Sequence, residues 1–204
     1  MKKLCIIAIL FPFVGMSQPM KIKNTQGGIF GIGLRTTVSA FNSGELSNLG
    51  TGIGGQFRLQ FADRINTEWF LDYITGEVGD FASRVDYHVG WSVMYYLTKN
   101  PDPIIKPYML IGHCFDKTVL IDNSNHSNRI TKNSSAVQAG VGVHFRISER
   151  LDLSLNTQYM MHLGDDIHAH YEHDNVRFER KNNKELEGHV LMHIGLNYKI
   201  VDLW

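Results

Sequence analysis

Residues 164–181 read GDDIHAHYEHDNVRFERK. Asp165, Asp166, His168, His170, Glu172, His173 and Asp174 crowd this stretch with imidazoles and carboxylates. Neutral imidazoles beside a carboxylate are the ligand set of zinc and similar ions. On an extended chain His168 and His170 project to the same side, so His168, His170 and His173 form a candidate metal site, with zinc as the expected ion. The same residues would also suit a solvated, charged surface loop. Cys114 stands alone and reads as a small packed side chain rather than a nucleophile. The glycine-rich stretches GGIFGIG (27–33) and GTGIGG (50–55) lead into no helical pattern, so they do not form a phosphate-binding loop. No residue is assigned a catalytic or organic-cofactor role.

The elements that must position these groups are strands. Eight segments alternate apolar and polar residues with period two, the signature of a strand with two different faces. They lie near 28–38, 52–62, 67–75, 84–97, 106–116, 139–147, 151–161 and 187–200. The clearest sets Val85, Tyr87, Val89, Trp91, Val93, Tyr95 and Leu97 against Arg84, Asp86, His88, Gly90 and Ser92. The segment at 106–116 has apolar residues in both registers and no clear phase. The segments are longer than the usual strand of about five or six residues. Their connections alternate: 63–66, 98–104 and 148–150 are short, while 39–51, 76–83, 117–134 and 164–186 are long. Such a rotation places turns at one end and loops at the other, as in an up-and-down antiparallel barrel that crosses a membrane.

The start of the chain, MKKLCIIAILFPFVGMSQ, runs from positive to apolar to small residues. This is the order of a secretory signal peptide, expected to span 1–17 and to be followed by a periplasmic segment, 18–26, and a barrel domain, 27–204. The apolar run is shorter than the roughly 20 residues a membrane-spanning helix needs. Cleavage would remove Cys5 and leave Cys114 as the one thiol, so no internal disulfide is possible. The chain carries 20 Lys and Arg against 20 Asp and Glu. Loss of Lys2 and Lys3 tips the balance slightly acidic, which gives no basic surplus for nucleic acid.

Alternation alone does not say which face is wet, because a soluble periplasmic ligand-binding barrel also alternates. Composition decides it. The polar registers hold Gly, Gln, Ser, Asn, His, Arg and Asp but almost no Lys, with Lys199 as the exception. A face in bulk water would carry Lys, whereas a narrow lumen requires small residues, amides and paired charges. The interior of an eight-stranded barrel is only wide enough for side chains to fill it. Arg35, Arg58, Arg84 and Arg146 with Glu68, Asp72, Asp86, Asp152 and Glu187 are therefore the expected lumen charge network, each ion requiring a partner. His88, His144, His189 and His193 share that register, either as hydrogen-bonded fillers or as groups that charge near neutral pH. The apolar registers, with aromatics near the strand ends, would meet lipid.

The expected fold is all-β, an eight-stranded antiparallel up-and-down transmembrane β-barrel. Tyr198, Ile200 and the final Trp204 resemble the C-terminal strand signal of clients of the barrel-assembly machinery, with Asp202 interrupting the alternation. Together with the signal peptide and the eight segments, residues 27–204 resemble the small outer-membrane β-barrel family that includes the OmpA membrane domain. The resemblance implies a place in the bacterial outer membrane, among its lipids, with assembly by that machinery. It also implies a non-enzymatic structural or surface-binding role through long loops whose partner is unnamed. Family members include lipid-modifying enzymes. His126 beside Ser127 resembles, in residue types, the His and Ser of lipid A deacylases, which lie one residue apart on a lipid-facing strand. Here the two are adjacent in a polar segment, and an extended chain points them apart.

Overall fold

A chain that alternates over more than a dozen residues can bury only one face of each strand, and closing the sheet on itself turns one face inward. The computed structural model, which describes residues 27–41, 49–100, 103–164, 166–172, 175–181 and 188–204, shows this closure. The barrel strands are β1 (Ile29–Phe41), β2 (Leu49–Ala62), β3 (Ile65–Val78), β4 (Ala82–Tyr96), β5 (Ile105–Asp122), β6 (Arg129–Arg146), β7 (Leu151–Leu163) and β10 (Gly188–Asp202). Between β7 and β10, β8 (Asp166–Glu172) pairs with β9 (Asn175–Lys181) as a separate two-stranded hairpin. Sequential neighbours pair antiparallel around the barrel, and β10 closes it against both β7 and β1. The 1–17 and 18–26 segments lie outside the described residues.

Every second side chain points inward. In β3, Asn66, Glu68, Phe70, Asp72 and Ile74 are buried, while Trp69, Leu71 and Tyr73 between them are exposed. The outward face carries Leu34, Ile53, Ile111, Val141, Ile194 and many other exposed large apolar residues. A soluble monomer rarely exposes so large a continuous apolar surface, and the hydrocarbon of a bilayer is the surrounding that suits it. Aromatic residues gather in two rows. Trp69 lies opposite Trp91, with ring centroids 6.4 Å apart, and stacks on Phe57 at 5.9 Å on the turn side. Tyr73 faces Tyr87 at 5.3 Å nearer the loops.

Three of the long connections differ from the sequence expectation. The β5–β6 ladder continues through Lys117↔Asn133 to Ile121↔Arg129, so 117–134 is mostly strand and only 123–128 turns. Inward Leu120 between Val119 and Ile121 hides the alternation in β5, and in β6 the outward Thr131 and Asn133 are as polar as inward Lys132. Residues 76–83 shrink to a link at 79–81, which Gly79 allows with a φ of 57°. The 164–186 stretch contains the β8–β9 hairpin rather than open loop. At the chain end, the β1–β10 register shifts past Ile200 as a bulge. Val201 then pairs with outward Phe30, and Asp202 pairs with inward Ile29. The bulge is why Asp202 breaks the alternation.

The fifth segment had no phase because its inward register is itself partly apolar. Tyr108, Leu110, Cys114 and Leu120 all face in. Two apolar clusters result: Met94, Tyr96, Tyr108 and Leu110 toward the turns, and Phe70, Ile74, Cys114, Ala136, Met160 and Leu191 toward the loops. Glycine makes room for the larger rings. A Cβ on Gly142 would lie 2.5 Å from the Tyr108 ring. Gly142→Leu should therefore displace Tyr108 and destabilise the barrel by about 1–3 kcal/mol, the usual cost of overpacking. Urea unfolding of detergent-folded protein measures it, and Gly142→Leu with Tyr108→Ala should recover part of the loss.

Candidate functional site in the barrel lumen

The inward register brings distant polar residues together in three layers. In the middle, Arg35 on β1 donates to both Asp72 carboxylate oxygens, with Nε at 2.7 Å from Oδ1, and to Glu68 Oε1 at 3.0 Å. Its guanidinium lies 4.1 Å from the centroid of the Phe70 ring. Arg58 on β2 donates through Nε to Glu68 Oε2 at 2.7 Å and through Nη2 to Ser154 Oγ at 2.7 Å. Glu68 thus bridges two arginines, and all four charged groups are buried. Forked arginine–carboxylate bonds are strong and directional, and in this water-poor space they neutralise charges that would otherwise be costly. Gln158 donates to Gln138 at 3.0 Å and Gln138 to Ser92 at 2.8 Å, which carries the polar belt across β7, β6 and β4.

The turn-side layer is aromatic and cationic. Tyr108 packs on His144 with ring centroids 4.4 Å apart, and Lys106 lies 4.5 Å from the Tyr96 centroid. Lys199 pairs with Asp152 at 3.0 Å. His144, Lys106, Tyr96, Lys199 and Asp152, with Arg58 and Arg146, line a cavity of only ≈ 40 Å³.

The loop-side layer is rich in histidine and aspartate. Arg84 Nε donates to Asp86 Oδ2 at 2.8 Å, and Thr118 donates to Asp86 Oδ1 at 2.6 Å. His88 Nε2 lies 3.3 Å from Asp116 Oδ1, and His162 Nδ1 lies 3.2 Å from Asp116 Oδ2. His162 Nε2 lies 3.1 Å from His189 Nδ1. Nearby, Thr37 Oγ1 and His193 Nδ1 are 2.9 Å apart.

Of the residues expected in the lumen network, Arg35, Arg58, Glu68 and Asp72 form one connected group. Arg84 and Asp86 form a second, and Asp152 joins Lys199 rather than an arginine. Arg146 lines the turn-side cavity, and Glu187 lies outside the described residues. Sequence reasoning missed Asp116 and His162. Asp116 fell in the unphased segment. His162 lay one residue beyond the strand as read, although it continues the register of Asn156 and Gln158.

His168 and His170 do share one face of β8, with ring centroids 6.2 Å apart. Their cross-strand partners are Glu179 and Arg177, and His173 lies outside the described residues. The opposite face of the hairpin, with Ile167 and Val176 buried, turns onto the barrel. Tyr171 packs against Phe81 at 5.6 Å, Arg180 donates to the Thr131 carbonyl, and Asn128 donates to the Val176 carbonyl. His126 and Ser127 lie exposed in the 123–128 turn, where the Ser127 amide donates to Asn125.

No curated protein matches the chain. Among solved structures, the outer membrane protein OprG from Pseudomonas aeruginosa aligns with a TM-score of 0.62 at 17% identity, covering 86% of this chain and 97% of OprG. Neisserial surface protein A aligns with a TM-score of 0.57 at 14% identity, covering 84% of this chain and 97% of that one. The N-terminal β-barrel domain of Pseudomonas aeruginosa OprF aligns at 0.50 and 11%, covering 84% and 98%. At these identities the likeness is one of fold. The family model described as the outer membrane protein beta-barrel domain matches residues 6–199. With the closed barrel, the apolar outer face and this match over most of its length, the chain belongs to the outer membrane protein beta-barrel domain family.

Proposed function

We propose that the protein is a non-enzymatic barrel of the bacterial outer membrane, closed to bulk diffusion, that offers its β8–β9 hairpin as a surface-binding element. The observation that carries this reading is the two-faced hairpin. Its apolar face is held to the barrel through Phe81, Asn128 and Thr131, while His168, His170, Arg177 and Glu179 lie on the other. A rigid barrel that displays a polar recognition element is a common division of labour. The buried Arg35–Asp72 and Arg58–Glu68 pairs, with Arg58 reaching Ser154 on β7, support a plug rather than a pore. In this reading the exposed aromatic rows contact outer-membrane lipids, and the end of β10 engages the assembly machinery.

Envelope fractionation should place the protein in the outer-membrane fraction, with a band whose mobility shifts on boiling. A soluble periplasmic protein without that shift would reverse the assignment of faces. Trypsin applied to intact cells should cut at Arg177 and leave the barrel whole. Cleavage only after the outer membrane is broken would rule out a surface role for the hairpin. Lipid A mass spectra should be identical with and without expression, and the appearance of deacylated species would establish the enzymatic alternative instead.

The plug makes a separate prediction. Arg35→Met leaves Asp72 and part of Glu68 without their cation, and breaking a buried pair from one side costs about 3–5 kcal/mol. Urea unfolding in detergent should show that loss. Arg35→Met with Asp72→Leu and Glu68→Gln should restore much of it.

A further inference from the structure

We propose that Asp86, His88 and Asp116 form a binding site for a divalent transition-metal ion of the zinc type inside the loop-side half of the lumen. It is separate from the hairpin histidines. Each of the three residues offers a ligand atom, and these atoms all lie within 4.8 Å of one another. Adjacent donors around tetrahedral zinc, at bond lengths of about 2.0 Å, are roughly 3.3 Å apart. His88 Nε2 and Asp116 Oδ1 already sit at 3.3 Å.

A second observation points to a missing partner. His88 is fully buried, yet Nδ1 and Nε2 both lack a hydrogen-bond partner, and so does Asp116 Oδ1. The 3.3 Å approach of His88 to Asp116 does not have hydrogen-bond geometry. Buried polar atoms are rarely left unpaired, because each costs free energy. An ion between His88 Nε2 and Asp116 Oδ1 satisfies both atoms at once. The surrounding groups resemble the outer shell of a metal centre. His162 and Ser134 approach the other Asp116 oxygen at 3.2 Å, and Thr118 and Arg84 donate to Asp86. Such partners fix the orientation of ligating carboxylates. Two carboxylates and an imidazole are a nitrogen–oxygen set suited to zinc, nickel or cobalt rather than to magnesium.

The test is titration of detergent-folded, chelator-stripped protein with Zn²⁺, read by calorimetry, and with Co²⁺, read by its visible absorption. The wild type should bind one Zn²⁺ per chain in a saturable way, independent of the hairpin. His168→Ala/His170→Ala should leave this binding unchanged. His88→Ala and, separately, Asp116→Asn should weaken it by at least roughly 100-fold, and His162→Ala by about 10–100-fold as an outer-shell change. The boiling-dependent gel shift shows whether each variant is folded. If His88→Ala fails to fold, Asp116→Asn and the Co²⁺ spectrum decide. No saturable binding by the wild type overturns the proposal, as does binding lost in the hairpin variant but kept in folded His88→Ala or Asp116→Asn. Neither result bears on where the barrel resides, which fractionation reads independently.

Discussion

A backbone that crosses a bilayer finds no water for its N–H and C=O groups, so every strand needs a neighbour on both sides. The pairing of β1 with β10 meets that demand for the two strands that would otherwise be edges. Everything else follows from closure. An eight-stranded ring fixes an interior that side chains must fill, and it fixes which side chains share that interior. The bulge at Ile200 shows how local the adjustment can be: one extra residue changes the phase at the chain end while the ladder closes around it.

Closure also explains why so many charges are buried in so small a protein. The outer face is given to apolar residues, so polar side chains collect inside, where little water can screen them. Arg35, Arg58, Glu68 and Asp72 answer this by pairing with one another over β1, β2 and β3. The arrangement works as a unit, since removing one ion leaves its partner buried without compensation. The loop-side layer is different in kind. There Asp86, His88, Asp116 and His162 approach one another with several polar atoms unsatisfied. The Arg35, Arg58, Glu68 and Asp72 group is thus a completed ionic plug, whereas the loop-side cluster gathers metal-ligating types around unsatisfied atoms.

The fold was largely legible because the period-two pattern survives wherever one face meets lipid and the other does not. Val85 to Leu97 shows it without interruption, and its register in the barrel is the one read from the sequence. The pattern fades where the inside is also apolar. Tyr108, Leu110 and Cys114 erased it in β5, and with it went the inward assignment of Asp116. It fades again at the upper ends of β5 and β6, where Leu120 faces in between Val119 and Ile121 and polar Thr131 and Asn133 face out, so these ends looked like loops. The β8–β9 hairpin alternates over only seven residues per strand, among many charges.

The sequence by itself determined the period, the two faces, the number of barrel strands and the identity of most inward groups. Those depend on neighbours along one strand, and a strand's geometry assigns faces without reference to anything else. Only the tertiary structure decided which inward groups meet. Cross-strand register lines Arg35 up with Gly54 and Asp72, gives Asp152 to Lys199, and brings Asp116 from β5 to His88 on β4 and His162 on β7. Register is a property of pairs of strands, and the meeting of groups across the lumen is a property of the closed ring. Neither is written in the alternation of a single segment.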